Sequence, residues 1–252
     1  MPEDERMFDS VFTTALERGL SHAEFAPLQA LVDDAALKRL SKFAALLLAA
    51  NRASNLTRIT DPAEMAVKHV VDSMTALLVG DWPEGASVCD VVTGGGLPGL
   101  VLALVRPDLS VTLVDSVAKK LAAVESIAQD LGVNARVVHG RAEDLGQDAK
   151  HRERYGVVVA RAVAALPVLA ELCLPLAAVG GCFVAMKGRD SELDQGRFAI
   201  SQLGGEVRES ITFTLPEGHG ERTVLAIAKV RKCPAAYPRR PGLPAKRPLV
   251  AP

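Results

Sequence analysis

The sequence has few cysteines and no long apolar run, and each absence argues against a class of protein. Its four cysteines, among 252 residues, form no C-x-x-C pair, so we interpret them as reduced core residues and not as zinc ligands or disulfides. No apolar run is long and charge-free enough to span a bilayer. The acidic segment 1–8 lacks the apolar core of a signal peptide. Together these absences predict a cytoplasmic protein with no bound metal and no membrane partner.

Acidic and basic residues are nearly balanced, with a net charge of −1, but the end of the chain lacks acidic residues. No Asp or Glu follows Glu221, whereas eight basic residues do: Arg222, Lys229, Arg231, Lys232, Arg239, Arg240, Lys246 and Arg247. A basic C-terminus on a near-neutral body predicts a polyanionic partner that meets one surface. Taken alone, the same composition also fits a solvated, proline-rich tail.

The order of predicted elements divides the chain into three regions. These are a helical segment, 1–60, packed on the core, a Rossmann-like core, 61–233, and a basic Pro/Arg-rich tail, 234–252. In the first region, 35–50 has the clearest apolar helical face, and Ser21 with Glu24 has the spacing of a capping box. Pro62 is predicted to begin a helix that reaches Leu77. The tail has no helical or strand period, so we expect it to lie extended on the body or to be mobile.

From residue 87 onward, predicted strands and helices alternate. The strand candidates are Val88–Val92, Val111–Asp115, Ala135–His139, Gly156–Arg161 and Cys182–Lys187. The helix candidates are Leu97–Val105, Ala118–Leu131, Leu166–Ala178 and Glu192–Leu203. Two last strands, 206–215 and 222–230, predict an antiparallel hairpin. The pattern predicts an α/β fold with a Rossmann-like, seven-stranded sheet, as in class I methyltransferases that use S-adenosylmethionine (SAM), whereas a dehydrogenase needs a second mononucleotide half.

The segment 87–99 joins the first predicted strand to a helix through three consecutive glycines. Gly94, Gly96 and Gly99 spell the G-x-G-x-x-G of dinucleotide-binding turns. With Asp90, the same glycines fit the acidic-x-G-x-G-x-G motif of SAM-binding enzymes, except that Val92 replaces the first glycine. A strand, a glycine turn and a helix N-terminus predict a nucleotide-like ligand at this point. The turn by itself leaves NAD and SAM open.

Three further candidates lie where predicted strands end. Asp115 ends the second strand, where a carboxylate accepts hydrogen bonds from ribose hydroxyls or, alternatively, caps the next helix. After the third strand, the backbone of Ala142 and Glu143 is placed to read an adenine edge, although Glu143 and Arg141 fit a surface ion pair equally well. Arg161 ends the fourth strand, where an arginine needs an anion or a carboxylate.

Two other motifs narrow the chemistry. Residues 161–163 read Arg-Ala-Val, where many amino-group methyltransferases have Asn-Pro-Pro and an aromatic residue, which argues against methylation of an exocyclic amine. His69 and Asp72 share one helical face, but no His, Cys or Asp pattern here is typical of a hydrolase or a metal site. Taken alone, His69 is interpreted as structural.

Several of these segments occur together, in the same order, in one known family. They are Asn55-Leu56-Thr57, His69-x-x-Asp72-Ser73, Asp90-x-x-Thr93-Gly94-Gly95-Gly96-Leu97-Pro98-Gly99, Gly140-Arg141-Ala142-Glu143, Arg161-Ala162-Val163, Lys187-Gly188 and Tyr237-Pro238-Arg239-Arg240-x-Gly242-x-Pro244. Through them the chain resembles the bacterial small-subunit ribosomal RNA guanine-N7 methyltransferase family, RsmG, also called GidB.

The resemblance implies SAM-dependent methylation of N7 of a guanosine in the 530 loop of 16S rRNA, with S-adenosylhomocysteine as product. The partner is then 16S rRNA or the small ribosomal subunit, and we expect a monomer. The residues expected to bind the cofactor are Asp90, Val92, Thr93, Gly94, Gly96, Leu97, Gly99, Asp115, Ala142, Glu143 and Arg161. The residues expected to bind RNA are Arg58, Lys68, His69, Lys187, Arg189, Arg239 and Arg240.

The absence of an obvious acid–base pair agrees with this reaction. N7 of guanine carries a free lone pair, so methyl transfer requires alignment more than a general base. Three alternatives remain: a SAM-dependent methyltransferase of a small molecule or protein, an NAD-dependent oxidoreductase, and a non-catalytic RNA-binding protein. The last is kept because Val92 replaces a motif glycine.

Overall fold

The computed structural model describes residues 3–161, 164–189 and 192–251, and its N-terminal region is helical. Helix α1 spans Glu3–Leu20, α2 spans Ala26–Gln29 after a 3-10 turn at Ala23–Phe25, and α3 spans Asp34–Ser54. The predicted capping box is wrong. The hydroxyl of Ser21 donates to the carbonyl of Arg18, and the residue before the 3-10 turn, His22, forms no side-chain cap.

Residues 62–78 form four consecutive helical segments where one helix was predicted. They are α4 (Pro62–Met65), a π-helical segment (Ala66–Val71), α5 (Asp72–Met74) and a 3-10 turn (Thr75–Leu78). The carboxylate of Asp61 accepts a hydrogen bond from the backbone of Glu64 and so caps the start. The π-helical segment is a local widening of the kind that is common at functional sites, and it contains His69.

The sheet has seven strands, as predicted from the alternation of elements. They are β1 (Ser87–Val91), β2 (Ser110–Asp115), β3 (Ala135–His139), β4 (Tyr155–Arg161), β5 (Ala177–Lys187), β6 (Gly205–Thr214) and β7 (Glu221–Lys229). The order across the sheet is β3-β2-β1-β4-β5-β7-β6. The first five strands are parallel, and β7 pairs antiparallel with both β5 and β6. The predicted terminal hairpin is therefore confirmed.

The helices that alternate with the strands are α6 (Gly99–Val105), α7 (Ala118–Leu131), α8 (Ala142–Gln147), α9 (Leu166–Cys173) and α10 (Leu193–Gln202). Helix α6 begins two residues later than predicted because the amides of Gly96 and Leu97 both bond to the carbonyl of Thr93, which extends the turn. Helix α9 ends before its predicted limit, since β5 already begins at Ala177. The predicted adenine loop is partly helical, because α8 begins at Ala142.

Two hydrophobic clusters lie on the two faces of the sheet. Alternate strand residues such as Val88 and Val159 join the N-terminal helices, α6 and α7 in one cluster. Their neighbours Cys89 and Val158 join α8, α9 and α10 in the other. Because both faces of β1, β2 and β4 are covered, these strands are near-continuous runs of apolar residues, whereas the edge strand β3 is partly exposed. The carboxyl ends of these strands are therefore the expected place for a ligand.

The C-terminal tail lies against the body on the α8–α9 side. Its one helix among the described residues, α11, spans Leu243–Lys246. The guanidinium of Arg152 donates to the carbonyls of Cys233, Pro234 and Tyr237. The described part of the tail therefore lies against the body, which is one of the two arrangements expected from the sequence. Helix α11 was not predicted, because the tail sequence has no helical period.

Candidate cofactor and RNA site

A cavity of about 500 Å³ opens at the carboxyl ends of the central strands. It lies next to the boundary between β1 and β4, where the strand order reverses direction, the usual ligand position in open α/β sheets. Its wall includes the glycine turn, the π-helical segment, and the ends of β4 and β5. A volume of this size suits a small organic ligand.

Asp90 shapes the glycine turn from below and does not line the cavity. Its side chain is 0% exposed. Its Oδ2 accepts hydrogen bonds from Thr93 Oγ1 at 2.6 Å and from the amide of Gly99 at 2.8 Å. Burial raises the pKa of this carboxyl to about 6. Asp90 was predicted to bind the cofactor. In the structure its buried carboxylate instead joins Thr93 of the turn to Gly99 at the start of α6.

Val92 lies in the cavity wall with an unusual backbone conformation. Its φ is +62°, in the left-handed region, and its side chain is 37% exposed. A β-branched residue is an outlier at positive φ, whereas glycine adopts it freely. The positive φ at this position explains why the motif has glycine there. Valine in its place stores about 1–3 kcal/mol of backbone strain.

The other predicted turn residues divide into three that line the cavity and two, Gly96 and Gly99, that lie outside its wall. Thr93, Gly94 and Leu97 line the cavity together with Gly95. At Gly94 a Cβ would meet nothing within 4 Å, so this backbone faces open space. At Gly96 a Cβ would lie 2.5 Å from Leu100 Cδ1, so this glycine is required for packing of the turn on α6.

Asp115 and α8 continue the same rim on the far side of the turn. Asp115 Oδ2 accepts from the amide of Gly94 at 3.0 Å, and Oδ1 from the amide of Val117 at 2.9 Å. It therefore orders both the turn and the start of α7. Glu143 Oε1 accepts from the amide of Gly242 at 2.8 Å, so its described partner is the tail and not Arg141. Ala142 and Glu143 lie outside the cavity wall.

A carboxylate that the sequence analysis did not assign holds two arginines in the cavity wall. Asp72 Oδ2 lies 3.1 Å from Arg161 Nη1, and its Oδ1 lies 3.1 Å from Arg222 Nε. Arg161 also donates to the carbonyl of Lys68 in the π-helical segment. Arg222 was missed because it belongs to β7, and only antiparallel pairing of β7 with β5 brings it to this rim.

His69 is buried in the same wall and is neutral near pH 7. Burial, and next the charge of Arg161, lower its pKa to about 4. Its Nε2 lies 2.7 Å from Thr57 Oγ1, and its Nδ1 has no partner among the described residues. The two family motifs Asn55-Leu56-Thr57 and His69-x-x-Asp72-Ser73 are therefore in direct contact.

The predicted RNA-binding residues fall into three groups: Lys68, His69 and Lys187 in the cavity wall, three arginines exposed outside it, and Arg239, which pairs with a buried carboxylate. Lys68 and Lys187 line the cavity, the latter with Nζ 2.6 Å from the carbonyl of Ala164. Arg58, Arg189 and Arg240 are exposed outside it. Ala162 and Val163 lie outside the described residues.

Arg239 requires a correction. Its guanidinium donates from Nε and Nη2 to Glu171, at 2.8 and 2.6 Å, and Glu171 is 0% exposed. Arg239 and Glu171 balance one to one, so the pair has no excess charge with which to hold a phosphate, unlike the two arginines that share Asp72. The paired basic residues Arg239 and Arg240 therefore have different environments, which their adjacency in the sequence conceals.

The cavity carries a small excess of positive charge and holds no competent base. Its wall contains four cations, Lys68, Arg161, Lys187 and Arg222, and one described carboxylate, Asp72. Lys68 and Lys187 also pair with Glu64 and Glu192 behind the wall, so the four cations exceed these three carboxylates by one charge. Asp72 is neutralised by its two arginines, and His69 has a pKa too low to accept protons efficiently at pH 7. The arrangement suits an anionic ligand and a reaction without proton abstraction.

Comparison with known proteins gives three kinds of similarity. The family described as GidB, rRNA small subunit methyltransferase G, matches residues 36–218. A relative named "Ribosomal RNA small subunit methyltransferase G" from Exiguobacterium sibiricum is 43% identical over 242 residues, covering 94% of this chain and 98% of the relative. The protein of that name from Deinococcus radiodurans is 47% identical over 219 residues, covering 84% and 85%.

Among solved structures, TrmN from Thermus thermophilus superposes with a TM-score of 0.50 at 20% identity, over 62% of this chain and 48% of that one. At such identity the likeness concerns the fold alone. Within residues 3–161, 164–189 and 192–251, no helix is long and apolar enough to cross a membrane. The same ranges contain no cluster of three or more His, Cys, Asp or Glu side chains suited to a metal.

Proposed function

We infer the function from family membership: this chain belongs to the GidB family, rRNA small subunit methyltransferase G. It is a SAM-dependent methyltransferase of 16S rRNA with a class I methyltransferase fold. Within that activity we propose that the target atom is N7 of a guanosine in the 530 loop. The observation that carries this finer proposal is the cationic cavity beside the glycine turn, whose wall offers no working base.

The residues at the rim fit SAM. The open backbone at Gly94 leaves room for a ligand, and Arg161 supplies a cation for its carboxylate. We place the adenosine along Asp115 and the start of α8, where one lone pair of each Asp115 oxygen remains for a ribose hydroxyl. When bound, SAM supplies an electrophilic methyl group on a sulfonium. The chain's own contribution is to hold that end next to the cationic wall.

The acceptor guanine enters on the side of Lys68, Lys187 and Arg222. Cations there hold the phosphates that flank a looped-out nucleotide. Neutral His69 lies in the wall with its Nε2 paired to Thr57 Oγ1, so it holds the wall in place and adds no charge to it. Because N7 is already unprotonated, orientation of the base toward the methyl group supplies the catalysis.

Two assays test the proposal with purified protein. Titration calorimetry should give binding of SAM and S-adenosylhomocysteine but not of NADH. Transfer of a labelled methyl group to small ribosomal subunits and to naked 16S rRNA, followed by nucleoside analysis, should yield 7-methylguanosine. Transfer only to a small molecule or protein, or NADH binding without SAM binding, would overturn the assignment. SAM binding with no transfer to RNA would indicate a non-catalytic RNA-binding protein.

A further inference from the structure

We propose that residues 234–247, here named the strap, position the adenine end of the cofactor by fixing helix α8. Arg239 is the positioning residue that anchors the strap. The inference rests on the proposed function only in placing the adenine of SAM at the backbone of Ala142 and Glu143. It changes the expected role of the tail, because part of it then serves the cofactor and not the RNA.

Helix α8 is too short to fix its own orientation. It has six residues, whereas isolated helices shorter than about 12 residues are marginal in water. Its buried apolar side chains are those of Ala142 and Leu145. External contacts must therefore determine where its first turn lies, and any adenine-reading backbone group in that turn moves with it.

The strap supplies such contacts at both ends of α8. At the first turn, the amide of Gly242 donates to Glu143 Oε1 at 2.8 Å. At the last turn, Gln147 Nε2 donates to the carbonyl of Pro238 at 2.8 Å. Pro238 also packs against Gly146, where a Cβ would lie only 2.7 Å from its Cγ.

Two guanidinium groups tie the strap to the body. Arg239 makes a two-pronged contact with the carboxylate of Glu171, and its amide also donates to Glu171 Oε1 at 2.8 Å. Paired N–H donors on a buried carboxylate give a strong and directional contact. Arg152 Nη1 donates to the carbonyls of both Gly146 and Tyr237, at 2.6 and 2.7 Å, so one group joins α8 to the strap.

These contacts form one continuous path from α9 to the predicted adenine site. Glu171 fixes Arg239, Arg239 fixes the strap, and the strap fixes Glu143 and Gln147. Loss of the anchor at Arg239 releases α8 and misorients the backbone that reads adenine. The cavity residues that orient the methyl group are not in this path, so the affinity for the adenosine moiety should fall while the chemistry is preserved.

The test compares full-length wild type with Arg239→Ala, Gln147→Ala and Arg240→Ala, using titration calorimetry with two ligands. S-adenosylhomocysteine carries the whole cofactor skeleton, and methylthioadenosine carries its adenosine end alone. We expect Arg239→Ala to raise both dissociation constants by about tenfold, within the usual range for coupled sites. Gln147→Ala should raise both about threefold, since it removes hydrogen bonds without exposing a buried charge. Arg240→Ala, the adjacent and exposed arginine, should leave both within about twofold.

Kinetics separate positioning from a general loss of structure. Arg239→Ala should raise the KM for SAM with little change in the KM for RNA or in kcat, and Arg239→Lys should restore part of the affinity. Unchanged ligand affinities in both Arg239→Ala and Gln147→Ala would overturn the inference. So would weaker binding of S-adenosylhomocysteine with unaltered methylthioadenosine binding. A wild-type protein that binds neither ligand would instead overturn the proposed function, and this inference with it.

Discussion

The two halves of the ligand-binding rim are built in different ways. Around the cavity, polar groups face the ligand space, and Asp72 holds Arg161 and Arg222 in its wall. Along the adenosine half, Asp115 and Glu143 direct their carboxylates to backbone amides of the turn, α7 and the strap. The first half is suited to orienting charged reactants, and the second to presenting an ordered backbone. Residues that occur together in the same motifs therefore have two different roles. Some face the ligand directly, and others hold in place the backbone that faces it.

The largest effect on the rate of methyl transfer should come from removing the charge of Asp72, which belongs to the cavity half. Asp72→Asn frees both arginines and disorders the cavity wall, so single-turnover methyl transfer should fall about 100-fold, the effect of an ångström-scale misplacement. Glu64→Gln is the matched control, because Glu64 pairs with the cavity residue Lys68 at a partly exposed site. It should change the rate less than about threefold. Equal effects of the two substitutions would contradict the role given to Asp72.

The opposite half is tested by Glu171→Gln, which should affect stability and not chemistry. Breaking a buried ion pair costs about 3–5 kcal/mol, and the partial exposure of Arg239 places the expected loss near the lower limit. For a chain of this size the melting temperature should fall by roughly 6–12 °C. The rate at saturating SAM should stay within about twofold. Loss of that rate in the folded variant would show that the halves are not separable.

Val92 lies between the two halves. Its replacement by glycine should increase stability and SAM affinity, and we expect this effect to be smaller than those of the two carboxylate substitutions. Val92→Gly relieves the strain of positive φ but raises the entropy of the unfolded chain, so stability should rise by about 1 kcal/mol. SAM should also bind more tightly, by roughly 5- to 150-fold if the branched side chain crowds the ligand. Val179→Gly, at another exposed valine, should give no such gain. Differential scanning calorimetry with and without SAM measures both effects.

The pH dependence should be the smallest effect on rate. His69 has a pKa lowered to about 4, so it is neutral and unchanged above pH 6. Asp90, with a pKa raised to about 6, is ionised above pH 7. The single-turnover rate should therefore be flat from about pH 7 to 9. A steep rise within that range that disappears in a His69→Gln variant would reveal a base.

His69 and Asp90 should have opposite effects on stability in acid. The pKa of Asp90 is raised to about 6 in the fold, so the folded chain binds that proton first and gains stability as the pH falls toward 4, whereas protonation of His69 lowers stability. The folded pKa of His69 is below the unfolded value of 6.5, so the unfolded chain binds the proton first. The stabilising contribution is complete above about pH 6.5 and is lost as the pH falls toward 4. His69→Gln removes the His69 contribution and leaves that of Asp90, so the unfolding free energy at pH 4 relative to pH 7 should be higher in the variant than in the wild type. Denaturant titrations at pH 7, 5.5 and 4 measure it.

The sequence predicted the parts of this molecule that local chemistry determines. Runs such as 111–114 and 157–160 are rich in β-branched and apolar residues, so strands and their order of appearance were recognisable. The glycines at 94 and 96 indicated the turn, because few other residues adopt the positive φ that its backbone requires. The special nature of position 92 was also visible in the motif.

The remainder depends on contacts between distant residues. Asp72 and Arg222 are 150 residues apart, and Arg239 and Glu171 are 68 apart. No spacing rule pairs them, so Arg239 was assigned to RNA by its charge. The π-helical segment was missed as well, because its residues fit an ordinary α-helix equally well, and only packing distinguishes the two.

We propose that this chain orients a guanosine of 16S rRNA for methylation at N7, without a general base. The most direct test is to map 7-methylguanosine in 16S rRNA from cells that carry the gene, lack it, or carry only Asp72→Asn. We expect the modification at one guanosine of the 530 loop with the wild-type gene, its absence without the gene, and a strongly reduced level with Asp72→Asn. The same 7-methylguanosine level in all three strains would contradict it.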